Sequence, residues 1–119
     1  MTPWVWLAVG GSGAVGAIVR FGAARASGPG RTHLGTLAVN LVGASALGVI
    51  VGAGSSHHVL LIVGGGLLGA MTTFSTWMVE SHRLGRDGRR AHAIANLAGS
   101  LVAGFTMAAL GWWLGRSLA

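Results

Sequence analysis

The sequence predicts an all-α integral membrane protein with four transmembrane helices, the third broken near the middle of the bilayer. Three observations lead there. Only 8% of the 119 residues are charged, while 52% are hydrophobic and 22 are glycine. A soluble domain carries about 25% charged residues and could not cover its surface with so few. The mean hydropathy is +0.68. Finally, no Asp, Glu, Lys or Arg interrupts Met1–Val19, Thr32–Val79 or Ala91–Gly115, runs of 19, 48 and 25 residues. These features exclude a soluble enzyme, a disordered tail, and a collagen-like or disulfide-stapled chain.

A helix crosses the hydrocarbon core with about 20 apolar residues. The first run supplies span 1, about residues 3–25. The opening Met-Thr-Pro-Trp has no basic stretch ahead of its apolar run, so the run is expected to stay as a span rather than be removed. The middle run is too long for one helix. It holds spans 2 and 3, about 34–53 and 58–81, divided by the polar, glycine-rich turn Gly52–His58. The last run supplies span 4, about 91–115. Residues 1–119 thus read as a single four-span membrane domain with short loops.

Seven of the eight arginines, Arg20, Arg25, Arg31, Arg83, Arg86, Arg89 and Arg90, lie on the side that holds the loops between spans 1 and 2 and between spans 3 and 4; only Arg116 lies on the other. The positive-inside rule places the arginine-rich side in the cytoplasm of a multi-pass cell-membrane protein, with both termini outside it. Trp4, Trp6, Trp112 and Trp113 form an aromatic belt at the level of the termini. The net charge of +6 is read as anchoring beside lipid, and no nucleic-acid partner is expected. The chain has no Cys. Nothing in it resembles a nucleophile–base pair or a metal triad at one depth, so no enzyme activity is expected. His57 and His58 read as a hydrated turn.

Glycines at Gly10, Gly11, Gly13 and Gly16, at Gly43, Gly48 and Gly52, at Gly65 and Gly69, and at Gly99 and Gly104 are expected to let helices approach closely, since lipid supplies no hydrophobic drive for their association. One cluster stands apart. Gly64-Gly65-Gly66, followed by Gly69-Ala-Met-Thr-Thr-Phe-Ser-Thr76, makes a poor continuous helix. It predicts the break, with freed carbonyls and amides available to an ion.

Polar residues at membrane depth are costly and therefore informative. Asn40 and Asn96 each begin an Asn-Leu-x-Gly phrase. Thr36 lies one turn before Asn40, and Ser100 one turn after Asn96. Thr72, Thr73, Ser75 and Thr76 are joined by Phe74 and Trp77, three residues apart on one face. A lone intramembrane Ser or Thr ordinarily bonds back to the carbonyl at i−4. An Asn amide carries two donors that its helix cannot satisfy, and an interhelical bond is its ordinary role. No carboxylate precedes Glu80, which reads as an interfacial helix-end group near Arg83. Arg20 either reaches to water past the end of span 1 or gathers anions at a vestibule. A cation or proton path would show a buried carboxylate. Neutral amides, hydroxyls and the positive edges of aromatic rings instead suit a small, strongly hydrated anion.

With those residues in view, Gly10–Arg20, Gly35–Gly43 and above all Gly69-Ala-Met-Thr-Thr-Phe-Ser-Thr76 resemble the three signatures of the Fluc/CrcB family of fluoride channels, from about residue 7 to 115. The resemblance implies passive, fluoride-selective export from the cytoplasm by an antiparallel dimer with two narrow pores and a central structural sodium ion. It implies that Asn40, Phe74, Ser75, Thr76, Trp77 and Ser100 line the fluoride path, that Arg20 stands at the vestibule, and that the Gly69 and Thr72 carbonyls bind sodium. Two positions depart from the pattern. Trp77 stands where the family usually has a second Phe; its larger indole keeps a donor edge. Asn96 stands where an aromatic is common.

A chain that inserts both ways to make its own antiparallel dimer should balance its arginines. Seven against one predicts instead one half of a heterodimer with a sibling chain of opposite bias; a homodimer is the alternative. Two rival functions remain: a non-conducting partner subunit of such a channel, and a four-span proton-coupled drug exporter. The exporter needs an embedded carboxylate in span 1, which this span lacks.

Overall fold

The computed structural model describes residues 2–119, and they form four long apolar helices. Span 1 is α1 (Pro3–Ala26) and span 2 is α2 (Thr32–Gly52). Span 3 runs from His57 to Arg86 as α3 (His57–Val59), a π-helix π1 (Leu60–Leu68), α4 (Gly69–Met71) and α5 (Ser75–Arg86). Span 4 runs from Arg90 to Leu118 as α6 (Arg90–Ile94), a second π-helix π2 (Ala95–Gly99) and α7 (Ser100–Leu118). Spans 3 and 4 extend past the expected 58–81 and 91–115, taking in Arg83 and Arg86 at the end of span 3 and Arg90 and Arg116 at the two ends of span 4.

Local chemistry sets the ends. Pro3 opens α1, where its missing N–H costs nothing. Arg25, Arg83, Arg86 and Arg116 lie in last turns, where a cation meets the negative end of the helix dipole. Gly54 and Gly88 reverse the chain with φ of 69° and 79°, a region that side chains with a Cβ avoid. Span 4 has 29 residues, so at about 1.5 Å per residue it reaches across hydrocarbon and headgroups together. The long axis of the molecule, 49 Å, agrees.

The four spans bury little of their apolar surface in one another. Leu7, Ile18, Val102, Phe105 and Trp113 are among many large side chains more than 60% exposed. In water that would be costly; in lipid those faces are the solvated ones.

The firmest packing is span 2 against α7, and glycine makes it possible. A Cβ on Gly111 would land on the Ser45 carbonyl, one on Gly115 on that of Val49, and ones on Gly48 and Gly52 on those of Ala108 and Trp112. Gly16 meets the Leu67 carbonyl of π1 in the same way. Other glycines expected to pack do not do so within the chain. Gly10, Gly11, Gly99 and Gly104 have open space where a Cβ would go. Nor does the triplet Gly64–Gly66 interrupt the helix: it lies inside π1, and Ser12 Oγ, 2.8 Å from the Ile62 carbonyl, ties span 1 to it. Helical torsions are left further on, at Thr72 (φ −83°, ψ 153°), and α5 starts at Ser75.

Candidate functional site

The stretch between α4 and α5 is held from outside by span 2. Asn40, near the middle of α2, donates from Nδ2 to the Thr73 carbonyl (3.1 Å) and accepts from the Thr73 N–H at Oδ1 (2.8 Å). This two-point clamp replaces the hydrogen bonds that a continuous helix would have supplied. The Thr73 N–H would otherwise return to the Gly69 carbonyl. The Thr76 N–H, which would return to Thr72, goes to Thr73 Oγ1 at 3.3 Å. The Gly69 and Thr72 carbonyls are thereby released from the ladder. They are hard, neutral oxygens, the ligand type that suits an alkali cation. One chain offers two of them, too few for a cation on their own.

Asn40, Trp77 and Ser100 line one cavity of about 290 Å³ with the apolar side chains of Leu41, Leu101 and Phe105. Asn40 has one amide hydrogen left after its bond to Thr73. Ser100 Oγ is buried and has no partner among the described residues. Asn40 and Ser100 thus bring a side-chain amide and a hydroxyl to the wall of an otherwise apolar space, where the Ser100 Oγ itself is covered. A second cavity brings Asn40, Gly69, Thr72, Phe74 and Trp77 together. The Phe74 and Trp77 rings meet edge to face, with centroids 5.4 Å apart and planes at 73°.

The remaining expected residues lie elsewhere. Ser75 and Thr76 line a third cavity with Thr32, Glu80 and Arg83. Arg20 is half-buried six residues before the end of α1 and lines none of these spaces. Trp77 is not an open donor edge: its Nε1–H is committed to the Asn96 carbonyl at 3.0 Å. Only carbon-bound hydrogens of the ring remain to face an ion.

Four groups carry more of the site than the sequence indicated. Glu80 is enclosed by the protein and shares a cavity with Arg83. It is 5% exposed, accepts from the buried Thr36 hydroxyl at 2.5 Å, and leaves Oε2 without a partner among the described residues. Asn96 donates from Nδ2 to Ser81 Oγ (2.8 Å), and Ser81 donates to the Trp77 carbonyl (2.9 Å). Thr36 could have been found by its place one turn from Asn40. Ser81 has no such signal, because its partner is 15 residues away on another span.

Four apolar helices around small cavities that hold neutral donors define a polytopic membrane protein built to handle a small polar solute or ion. Residues 7–112 match the family model described as "CrcB-like protein, Camphor Resistance (CrcB)". The chain belongs to the CrcB family. It is 40% identical over 119 residues to a Mycobacterium tuberculosis H37Rv protein named fluoride-specific ion channel FluC 2, covering 98% of this chain and 94% of that one. It is 43% identical over 117 residues to the FluC 2 of Mycolicibacterium paratuberculosis, with 94% of each covered. Against a FluC 1 of Frankia casuarinae it is 38% identical over 125 residues, covering 95% and 97%.

Proposed function

We propose that the chain is a subunit of a fluoride-specific channel that lets fluoride leave the cytoplasm passively. The observation that carries this reading is the cavity lined by Asn40, which keeps a spare amide hydrogen, and by Ser100, whose buried hydroxyl has no partner among the described residues. Fluoride is the smallest and most strongly hydrated halide, so it must exchange water for strong, compact donors. Neutral donors do this without the fixed cation that would trap the ion. The names of the FluC relatives point the same way. The path includes Phe74, whose ring edge offers a weak positive contact, and the Ser75–Thr76 hydroxyls beside it. Arg20 attracts anions toward the mouth.

The assembly is an antiparallel dimer. The non-helical torsions at Thr72 then serve as a break near the dimer centre, where Gly69 and Thr72 of both subunits give four carbonyls to one sodium ion. Sodium there would supply a fixed charge that binds the subunits together. The arginine bias favours a heterodimer with a sibling of opposite orientation, and relatives numbered FluC 1 and FluC 2 fit a paired arrangement. Both termini face away from the cytoplasm.

Growth of a fluoride-hypersensitive bacterial host tests this reading. Expression of the chain with its sibling should restore growth in millimolar-range fluoride, and Asn40→Asp should abolish the rescue. Rescue by the chain alone would favour a homodimer. No rescue in either case, with protein present in the membrane, would refute the channel.

A further inference from the structure

Five hydroxyls along the spans share one habit. Ser27, Thr72, Ser81, Thr106 and Ser117 each donate to the carbonyl four residues earlier, at 2.8–2.9 Å. Ser100 departs from it. Its Oγ is buried and unpartnered, although a back-bond would relieve the cost of leaving a polar group unmet.

The reason lies at the acceptor. The carbonyl four residues before Ser100 belongs to Asn96, and a carbonyl oxygen offers two lone pairs. The Ser100 backbone N–H takes one. The Trp77 indole N–H, arriving from span 3, takes the other at 3.0 Å. The indole is held there by a second link between the same spans: Asn96 Nδ2 donates to Ser81 Oγ, which donates to the Trp77 carbonyl. Trp77, Asn96 and Ser81 thus form a closed ring of hydrogen bonds. Asn96 and Ser81 are both buried, 8% and 3% exposed.

We propose that Trp77 is a positioning residue for Ser100: its indole N–H occupies the Asn96 carbonyl and so keeps the covered, unpartnered Ser100 hydroxyl free to turn into the cavity both residues line and donate to fluoride. This rests on the channel reading above. A phenyl ring at position 77 has no N–H and could not fill this role. In this chain the indole and Asn96 act as a matched pair. Ser81 and Asn96 act at one remove, by fixing the indole.

Fluoride efflux from liposomes is compared for the wild type, Trp77→Phe, Ser100→Ala and the double variant. Each single variant is expected to slow efflux about tenfold, the scale of one lost hydrogen bond to the passing ion. The double variant should be no slower than the singles, because Ser100 is already withdrawn once the indole N–H is gone. Multiplying losses, or Trp77→Phe efflux equal to or above wild type, would overturn the proposal.

A second readout does not depend on flux. Trp77 is half-buried, whereas Trp4, Trp6, Trp112 and Trp113 are exposed. In protein labelled with 15N-tryptophan, one indole N–H should resist exchange with deuterated water, and Ser81→Ala should remove that resistance. Rapid exchange of all five would overturn the proposal whatever the flux. Wild-type liposomes without efflux would instead refute the channel reading, leaving the indole bond to be judged by exchange.

Discussion

Asn40 does two things with one amide. Its oxygen and one hydrogen hold Thr73, and its other hydrogen faces the cavity shared with Ser100. Asn40→Asp removes both donors and sets a carboxylate against the Thr73 carbonyl. Fluoride efflux through this variant should fall to the liposome background, and wild-type efflux would take Asn40 out of the path. The Thr36–Glu80 pair makes a separate prediction. Thr36→Val keeps the shape of the side chain and leaves a buried carboxylate with neither oxygen bonded. That should cost about 1–3 kcal/mol, read as a lower midpoint of thermal unfolding followed by circular dichroism in detergent; an unchanged midpoint would contradict the bond. Much at this scale was hidden in the sequence. Asn40 and Ser100 stand out because an amide or a hydroxyl is rare in an apolar run. The pairings Asn40–Thr73, Thr36–Glu80 and Asn96–Ser81 do not, because these bonds cross 33, 44 and 15 residues with no periodic signal between them.

The elements were easier to read, and for a physical reason. A charge is so costly in hydrocarbon that its absence alone marks where the spans run. Arginines inside the outer turns explain why spans 3 and 4 extend past those marks. Glycine was less legible. Gly48 and Gly52 do carry a close helix contact, but Gly111 and Gly115, at the same four-residue spacing, complete it from span 4. Gly10 and Gly99 share the composition, yet a Cβ there would meet nothing among the described residues, since spacing cannot say which face a neighbour occupies. The contrast is testable. Gly111→Ala forces a methyl onto the Ser45 carbonyl and should lower stability by about 1–3 kcal/mol. Gly10→Ala, in open space, should leave the unfolding midpoint unchanged or raise it. Equal effects would contradict the span 2–span 4 packing.

For the whole molecule, the exposed apolar faces, the glycines that meet nothing and the two released carbonyls share one property: a single chain leaves each of them incomplete. In the dimer proposed above, a second subunit completes them. In that arrangement the arginine bias sets how this chain lies, with the side that bears seven arginines in the cytoplasm. Tags placed at the C-terminus should therefore be accessible from outside intact cells in nearly all copies. An even split between the two faces would contradict a fixed orientation and favour a homodimer.

The most direct measurement is ion efflux from liposomes that contain the purified protein with its sibling, followed with a fluoride electrode and, in parallel, a chloride electrode. Rapid fluoride efflux with chloride retained is the predicted result. Retention of fluoride, or release of both ions alike, would contradict a fluoride-specific channel.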